Sequence, residues 1–236
     1  MTILYDKMAI KQNTLLDLPM REGIRAVTRD IAKPHHPVTL VNTPTWTQLA
    51  SGINVIDLDG VNQYLRCLNA DSLDLDFIAG DYSIGMWFNW THGAASQILI
   101  GRYELNVGGW ELYLTEVGAL DYLTLRHHHA GTIVDGNPRT AGNSLGWTPG
   151  VWWHLGISRH GGVAVHYRNG VAQNMTYSTG GLVDPETTTQ NLTIGSRYDL
   201  GGNWLDGMIQ GITLHDRALT AVEWLAIYND EVGSFA

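Results

Sequence analysis

The chain has 236 residues, a formal net charge of −9 and one cysteine, enough for one large β domain or two small ones. An acidic balance without clustered positive charge excludes nucleic acid and an anionic membrane surface as natural partners, and the lone Cys67 excludes an intramolecular disulfide. Nine tryptophans against three phenylalanines, with 27 glycines, suit a turn-rich β protein better than a helical bundle.

Residues 1–15 precede any periodic pattern and read as an N-terminal arm; residues 16–236 read as one domain. The opening "MTILYDKMAIKQNTLLDLPMREG" has no basic region followed by an apolar core and a cleavage site, so it is not read as a secretory signal. No apolar run approaches the roughly 18 residues of a membrane span, so no membrane insertion is expected. "TRDIAKPHHPVTLVNTPTW" reads as loop or edge, because Pro34, Pro37 and Pro44 cannot donate to a central ladder.

From about residue 53 to 215, apolar residues alternate at every second position between glycine, asparagine and aspartate turns. The alternation predicts strands near 53–58, 62–68, 82–90, 97–103, 110–116, 121–127, 151–159, 163–169, 191–197 and 208–215. In "VWWHLGISRHGGVAVHYRNGV", Trp153, Leu155 and Ile157 face one way and Trp152, His154 and Ser158 the other. Asn169-Gly170 then closes a tight turn, since both residues tolerate the positive φ of a type I′ turn. Residues 128–150 form the longest irregular connection, where binding surfaces on rigid sandwiches tend to lie. One helix is credible: Thr220 and Glu223 make a capping box, and Val222, Leu225 and Tyr228 follow at helical spacing. So many strands and one helix predict an all-β, two-sheet antiparallel sandwich of jelly-roll type, with a short C-terminal helix and an N-terminal arm.

Chemistry-bearing motifs are sparse. His127 and His129 in "RHHHAG" are the only pair of that run that could share a metal, since consecutive strand residues point to opposite faces. The cluster reads better as a strand end. His35-His36, between prolines, reads as loop. No glycine-rich loop opens a helix, and Cys67 lacks a motif, so neither nucleotide binding nor a nucleophilic triad is expected.

Five segments in order resemble the laminin-G-like branch of the concanavalin A-like lectin/glucanase superfamily over roughly residues 16–230. They are the opening "LPMREGIRAVTRDIAKPHHPVTLVNTPTW", then "VIDLDGVNQYLRC", "SLDLDFIAGDYSIGMWFNW", "GVWWHLGISRHGGVAVHYRNGVA", and "LTIGSR" with "GGNWLDGMIQGITLHDRALTAVEW". The resemblance implies a concanavalin A-like fold and a sugar-binding module rather than an enzyme. Relatives carry calcium near these loops, which makes calcium the candidate cofactor and Asp59 and Asp206 its candidate ligands. Gln63 and Gln210-Gly211 stand where relatives have acids, and losing carboxylates lowers calcium affinity. The glucanase branch needs paired carboxylates on one strand face. Its E-x-D-x-x-E string is missing, and Asp74 and Asp76 read as solvent-facing beside core-facing Leu73 and Leu75. His154 matches the hairpin histidine, a structural position.

Sugar recognition needs an exposed aromatic plate and planar polar groups. The implied candidates are Trp90, Tyr103, Trp110, Trp147, Tyr198 and Trp204, with Arg102, Asn106, Asn143 and Arg197 nearby, while Trp87 and Trp153 are assigned to the core. One cysteine and no export sequence point to assembly in a cytoplasm. The expected setting is a phage-like virion component, either a capsid decoration or a tail-associated protein. It would touch host glycans and form a homo-oligomer through the arm. The alternatives are a carbohydrate-binding module of a secreted or cell-surface protein and, last, a glycoside hydrolase.

Overall fold

In the computed structural model, residues 11–33, 35–91, 96–117, 120–129, 139–177 and 181–235 are described. Two antiparallel sheets stack into a sandwich. The first, in spatial order, is β14 (Val171–Ala172), β13 (Val163–Arg168), β12 (Trp153–His160), β7 (Tyr82–Trp90), β17 (Asp206–His215), β5 (Asn54–Asp59) and β4 (Thr45–Gln48). An eighth strand, β1 (Thr14–Leu18), pairs with β17 beyond the end of β5. The second sheet has nine strands: β15 (Thr176–Tyr177), β11 (Arg139–Leu145), β10 (Leu120–His128), β9 (Gly108–Val117), β8 (Gln97–Glu104), β16 (Leu192–Ile194), β6 (Tyr64–Cys67), β3 (Pro37–Val41) and β2 (Val27–Arg29).

All ten strands expected from alternation are present, β7 over the expected residues. The predicted face assignment holds as well. Ile84, Met86 and Phe88 of β7 with Leu155 and Ile157 of β12 meet Leu112 and Leu114 of β9 and Leu123 and Leu125 of β10 in one buried core. Each such side chain stabilises the fold by about 1.5–3 kcal/mol relative to exposure. The hairpin after β13 turns at Asn169 and Gly170, with φ of 51° and 76°, the two positive values a type I′ turn requires.

Seven further strands lie where no long alternation announced them: β1 to β4, β11, β14 and β15. The proline-rich segment supplies β2, β3 and β4, and Pro37 sits at the first position of β3, where a missing N–H breaks no interior ladder. β11 runs through "RTAGNSL", whose small polar residues hide its period. It corrects the irregular reading of 128–150. β1 takes in the last two residues of the expected arm, Thr14 and Leu15, with the start of the domain: Thr14 pairs with His215 and Leu18 with Ile212, and Leu16 and Leu18 are fully buried. These residues belong to the chain's own sheet. Residues 1–10 of the expected arm lie outside the described residues.

The helix, α1 (Ala221–Glu231), begins with the predicted capping box: Thr220 accepts from the Glu223 amide, and Glu223 accepts from the Thr220 amide. Its anchor differs from the expected stripe. Val222 is 78 % exposed, whereas Trp224 is completely buried on the outer face of the first sheet. Two cross-strand partners, Gly85 and Gly156, make the seat. A Cβ at Gly156 would stand 2.6 Å from the Trp224 ring. Trp224 Nε1 donates to Ser158 Oγ at 2.8 Å, and Tyr167 and Leu219 complete this second, small core.

Candidate functional site

With the first sheet covered in part by α1, attention falls on the outer face of the nine-stranded sheet. Strand alternation decides what stands there. In β9, Trp110, Leu112 and Leu114 point into the sandwich, so Glu111 and Tyr113 point out; in β10, Leu123 and Leu125 point in, so Tyr122, Thr124 and Arg126 point out. Register aligns Arg126 with Glu111, Glu111 with Gly101, Gly101 with Thr193, and Thr193 with Arg66 in one row across five strands. A neighbouring row holds Tyr113, Thr124 and Asn143.

The site is built around stacked guanidinium groups. The Arg126 guanidinium lies 4.6 Å from the centre of the Tyr103 ring and 4.9 Å from that of Tyr113, and it pairs with Glu111. The loop after β16 brings Arg197 to 5.7 Å from the Tyr103 ring and 5.9 Å from the Tyr198 ring. That loop continues to Trp204, which lies 5.8 Å from Tyr64, another outward residue of this face. A guanidinium held over an aromatic face keeps its in-plane N–H groups directed outward. Tyr103 Oη, Asn143 Oδ1 and Arg197 Nε are buried without a hydrogen-bond partner among the described residues. Such atoms are costly unless something satisfies them.

The expected residues divide into two groups. Tyr103, Asn143, Arg197, Tyr198 and Trp204 gather on this face, although Tyr103, 2 % exposed, serves as a platform for arginines rather than a plate for a ligand. The others do not join them. Trp90, Trp110 and Trp147 are core residues whose indole N–H groups donate to Trp147 O, Leu75 O and Ser144 Oγ. The glycines beside Trp110 are explained by close backbone approach: a Cβ on Gly109 would meet Arg102 O at 1.9 Å. Arg102 is completely buried and donates to Ser72 O, Ser72 Oγ, Asn69 Oδ1 and Thr188 O, tying turns to strands. Asn106, exposed with φ of 64°, occupies the β8–β9 turn. Trp87 is buried as expected, but against Phe235 and Tyr228 on the helix side.

Arg126, Glu111, Tyr113 and Arg66 were missed. Their signal was present: polar or aromatic residues at every second position, out of phase with core leucines, on strands that pair.

The other candidates have structural partners. Asp59 and Asp206 do face each other across β5 and β17. One Asp59 oxygen accepts from the amides of Val61, Asn62 and Gln63, which holds its carboxyl below the usual range against the effect of burial. Among the described residues no group of three or more His, Cys, Asp or Glu is placed to hold a metal. His127 and His129 part company: His127, buried and pushed down to about 4, binds Tyr82 Oη and Val183 O, while His129 binds Asp184 O. Asp74 and Asp76 are not a strand pair: Asp74 is the middle residue of the 3-10 turn Leu73–Leu75 and Asp76 caps its C-terminal end. Asp74 bonds His36 and Asp76 bonds Thr187, and Leu73, expected inside, is 63 % exposed.

The family model described as the concanavalin A-like lectin/glucanases superfamily matches residues 59–223. A search of curated proteins by sequence finds no match. Among solved structures, the botulinum neurotoxin serotype D binding domain is similar with a TM-score of 0.70 at 12 % identity, over 96 % of this chain and 53 % of that one. The binding domain of Paraclostridial Mosquitocidal Protein 1 gives 0.69 at 13 %, over 94 % and 53 %. The serotype D ligand binding domain in complex with N-acetylneuraminic acid gives 0.67 at 12 %, over 96 % and 53 %. This chain spans about half the length of each, and such identities speak for the fold alone.

Proposed function

Since the chain belongs to the concanavalin A-like lectin/glucanase superfamily, we propose that it is a non-catalytic glycan-binding module whose sugar site is the outer face of the nine-stranded sheet. The observation that carries this reading is Arg126 stacked between Tyr103 and Tyr113 beside the Arg197–Tyr198 lip. Forked N–H donors beside half-exposed aromatic rings provide what a sugar offers partners to: hydroxyls in one plane and an apolar ring face. A similar fold has been solved with N-acetylneuraminic acid bound, which supports a sugar as the class of ligand. Hydrolysis would need two carboxylates flanking the bond. Among the described strand residues of this face Glu111 is the one carboxylate, and it is paired with Arg126. The setting we infer is a virion component, a capsid decoration or tail-associated protein. Cys67, buried and free with its thiol pushed up to about 11 by burial, leaves the fold independent of an oxidising compartment.

The test is a glycan array with the wild-type chain and two variants. Tyr198→Ala removes a lip ring, and the double change Arg126→Gln with Glu111→Gln removes the ion pair without stranding one buried charge. Binding is expected to fall about tenfold in each, as for loss of a stacking or charge-assisted contact. Unchanged binding in both variants, with folding verified by circular dichroism, would move the site elsewhere.

A further inference from the structure

We infer that the chain has a second ligand site, on the outer face of the eight-stranded sheet, where Glu231 takes the protonated amine of a small molecule. This site is independent of the sugar reading. It begins as a gap in strand pairing. β5 pairs with β17 from Asp206 to Ile209 and β1 pairs with it from Ile212 to His215, so Gln210 and Gly211 face no strand on that edge. On the other edge the register with β7 shifts between Gln210 and Thr213, and Gly211 takes a φ of 62°. A bulge of this kind bends the strand and interrupts its ladder. Beside it lies a cavity of about 390 Å³, lined also by the β4–β5 turn, the segment after β1 and the C-terminal Ser234 and Phe235. That is room enough for a small molecule. The C-terminal segment is pinned there: Ser51 Oγ donates to Ser234 O at 2.6 Å, and the Phe235 ring stacks on Trp87 with centroids 4.0 Å apart.

The lining offers acceptors. Glu231, the last residue of α1, accepts from Trp87 Nε1 through Oε2 at 2.6 Å. Its other oxygen has neither a hydrogen bond nor an ion pair among the described residues. Gln210 and Asn54 commit their amide nitrogens to Pro19 O at 2.9 Å and Arg21 O at 3.0 Å, which leaves their oxygens as acceptors. Of the two cations on the lining, Lys11 is held by Asp17 at 3.1 Å, and Arg21 is exposed and makes no ion pair with Glu231. A buried carboxylate without a countercharge is costly. Burial pushes the Glu231 carboxyl up to about 7; Asp230 and Asp17 act in the same direction, and the Trp87 bond and Lys11 oppose them. His154, beside the Trp87 ring, is pushed down to about 3 and stays neutral. An ammonium supplies both the missing charge and three N–H donors, and Met20, Ile53 and Phe235 offer its carbon frame apolar contact. An anion would meet Glu231 as a like charge. A metal ion would need more ligating groups than the described residues bring together.

The experiment titrates the full chain with three molecules on one frame, cyclohexylamine, cyclohexanol and cyclohexanecarboxylate, and follows the tryptophan indole N–H resonances by NMR. At pH 8 the amine is expected to bind about tenfold or more tightly than the alcohol, and the carboxylate more weakly than either. An alkylammonium stays charged below about pH 10, so a change in affinity between pH 5.5 and 8 reports on the protein. Amine affinity is expected to weaken on the order of tenfold from pH 8 to pH 5.5, as Glu231 takes up the proton that the amine must displace. Glu231→Gln, which keeps an acceptor for Trp87, is expected to bring the amine to the affinity of the alcohol and to flatten the pH profile. Alcohol or carboxylate binding as tight as that of the amine would overturn the inference. So would wild-type amine affinity that is constant from pH 5.5 to 8, a result that needs no variant to fold, and so would the absence of amine binding at pH 8.

Discussion

At the scale of single residues, the most constrained charge is His36. Its two nitrogens lie 2.7 Å from Asp30 and 3.0 Å from Asp74, and its side chain is inaccessible to solvent. Carboxylates accept only, so an imidazole serving both must donate from both nitrogens and be protonated. Burial works against that charge, but the hydrogen bonds and charges of Asp30 and then Asp74 outweigh it, and the pKa is raised above 6.5. Asp30 is the mirror case. Burial opposes its ionisation, while bonds from His36 and from the amides of Asp17, His36 and Ala32 lower its pKa below 3.8. The His36 contribution is therefore complete below pH 6.5 and lost as pH rises through its folded value, and that of Asp30 is present above pH 3.8 and lost as pH falls. In urea titrations, wild type is expected to exceed His36→Gln by on the order of 3 kcal/mol near pH 5.5, with the gap narrowing above neutrality. A gap that stays constant from pH 5 to 9 would mean a neutral ring. None of this was legible in "KPHHP", because Asp74 arrives from another segment.

At the scale of elements, the capping box showed where α1 begins, but its neighbours in sequence did not say which side it would bury. Val222, Leu225 and Tyr228 have the spacing, yet Trp224 provides the anchor, because the outer face of β7 and β12 offers a glycine-lined seat. His154, packed beside the Trp87 and Trp224 rings and pushed down to about 3 by burial, closes the same layer as a neutral side chain. Gly156→Ala is expected to cost about 1–3 kcal/mol, the usual penalty for overpacking, read as a lower urea midpoint with unchanged slope. Gly162→Ala, whose Cβ would meet nothing closer than 3.2 Å, is the control and should cost less. Equal effects would show that Trp224 moves aside freely. β1 makes the complementary point: Leu16 and Leu18 join the main core only because β17 leaves its second half open beyond β5.

At the scale of the whole molecule, a resident ion would stabilise the sandwich by mass action. Calcium asks for six to eight oxygens, and Asp59 has already given one oxygen to three amides. A chelator is therefore expected to leave the melting temperature where it was, and a drop of several degrees would reinstate Asp59 and Asp206 as ligands. The fold class, ten strands, the type I′ turn and the helix start were all determined by the sequence alone, because each depends on a local period or on the φ that one or two residues permit. The short strands, the burial of Trp90, Trp110, Trp147 and Arg102, and the assembly of Arg66, Arg126 and Arg197 on one face were decided only by tertiary structure. A tryptophan beside glycines reads the same whether the glycines free it to reach solvent or let another backbone close over it. Likewise, residues more than 120 positions apart become neighbours only when strand order and register are set by the packing of two sheets.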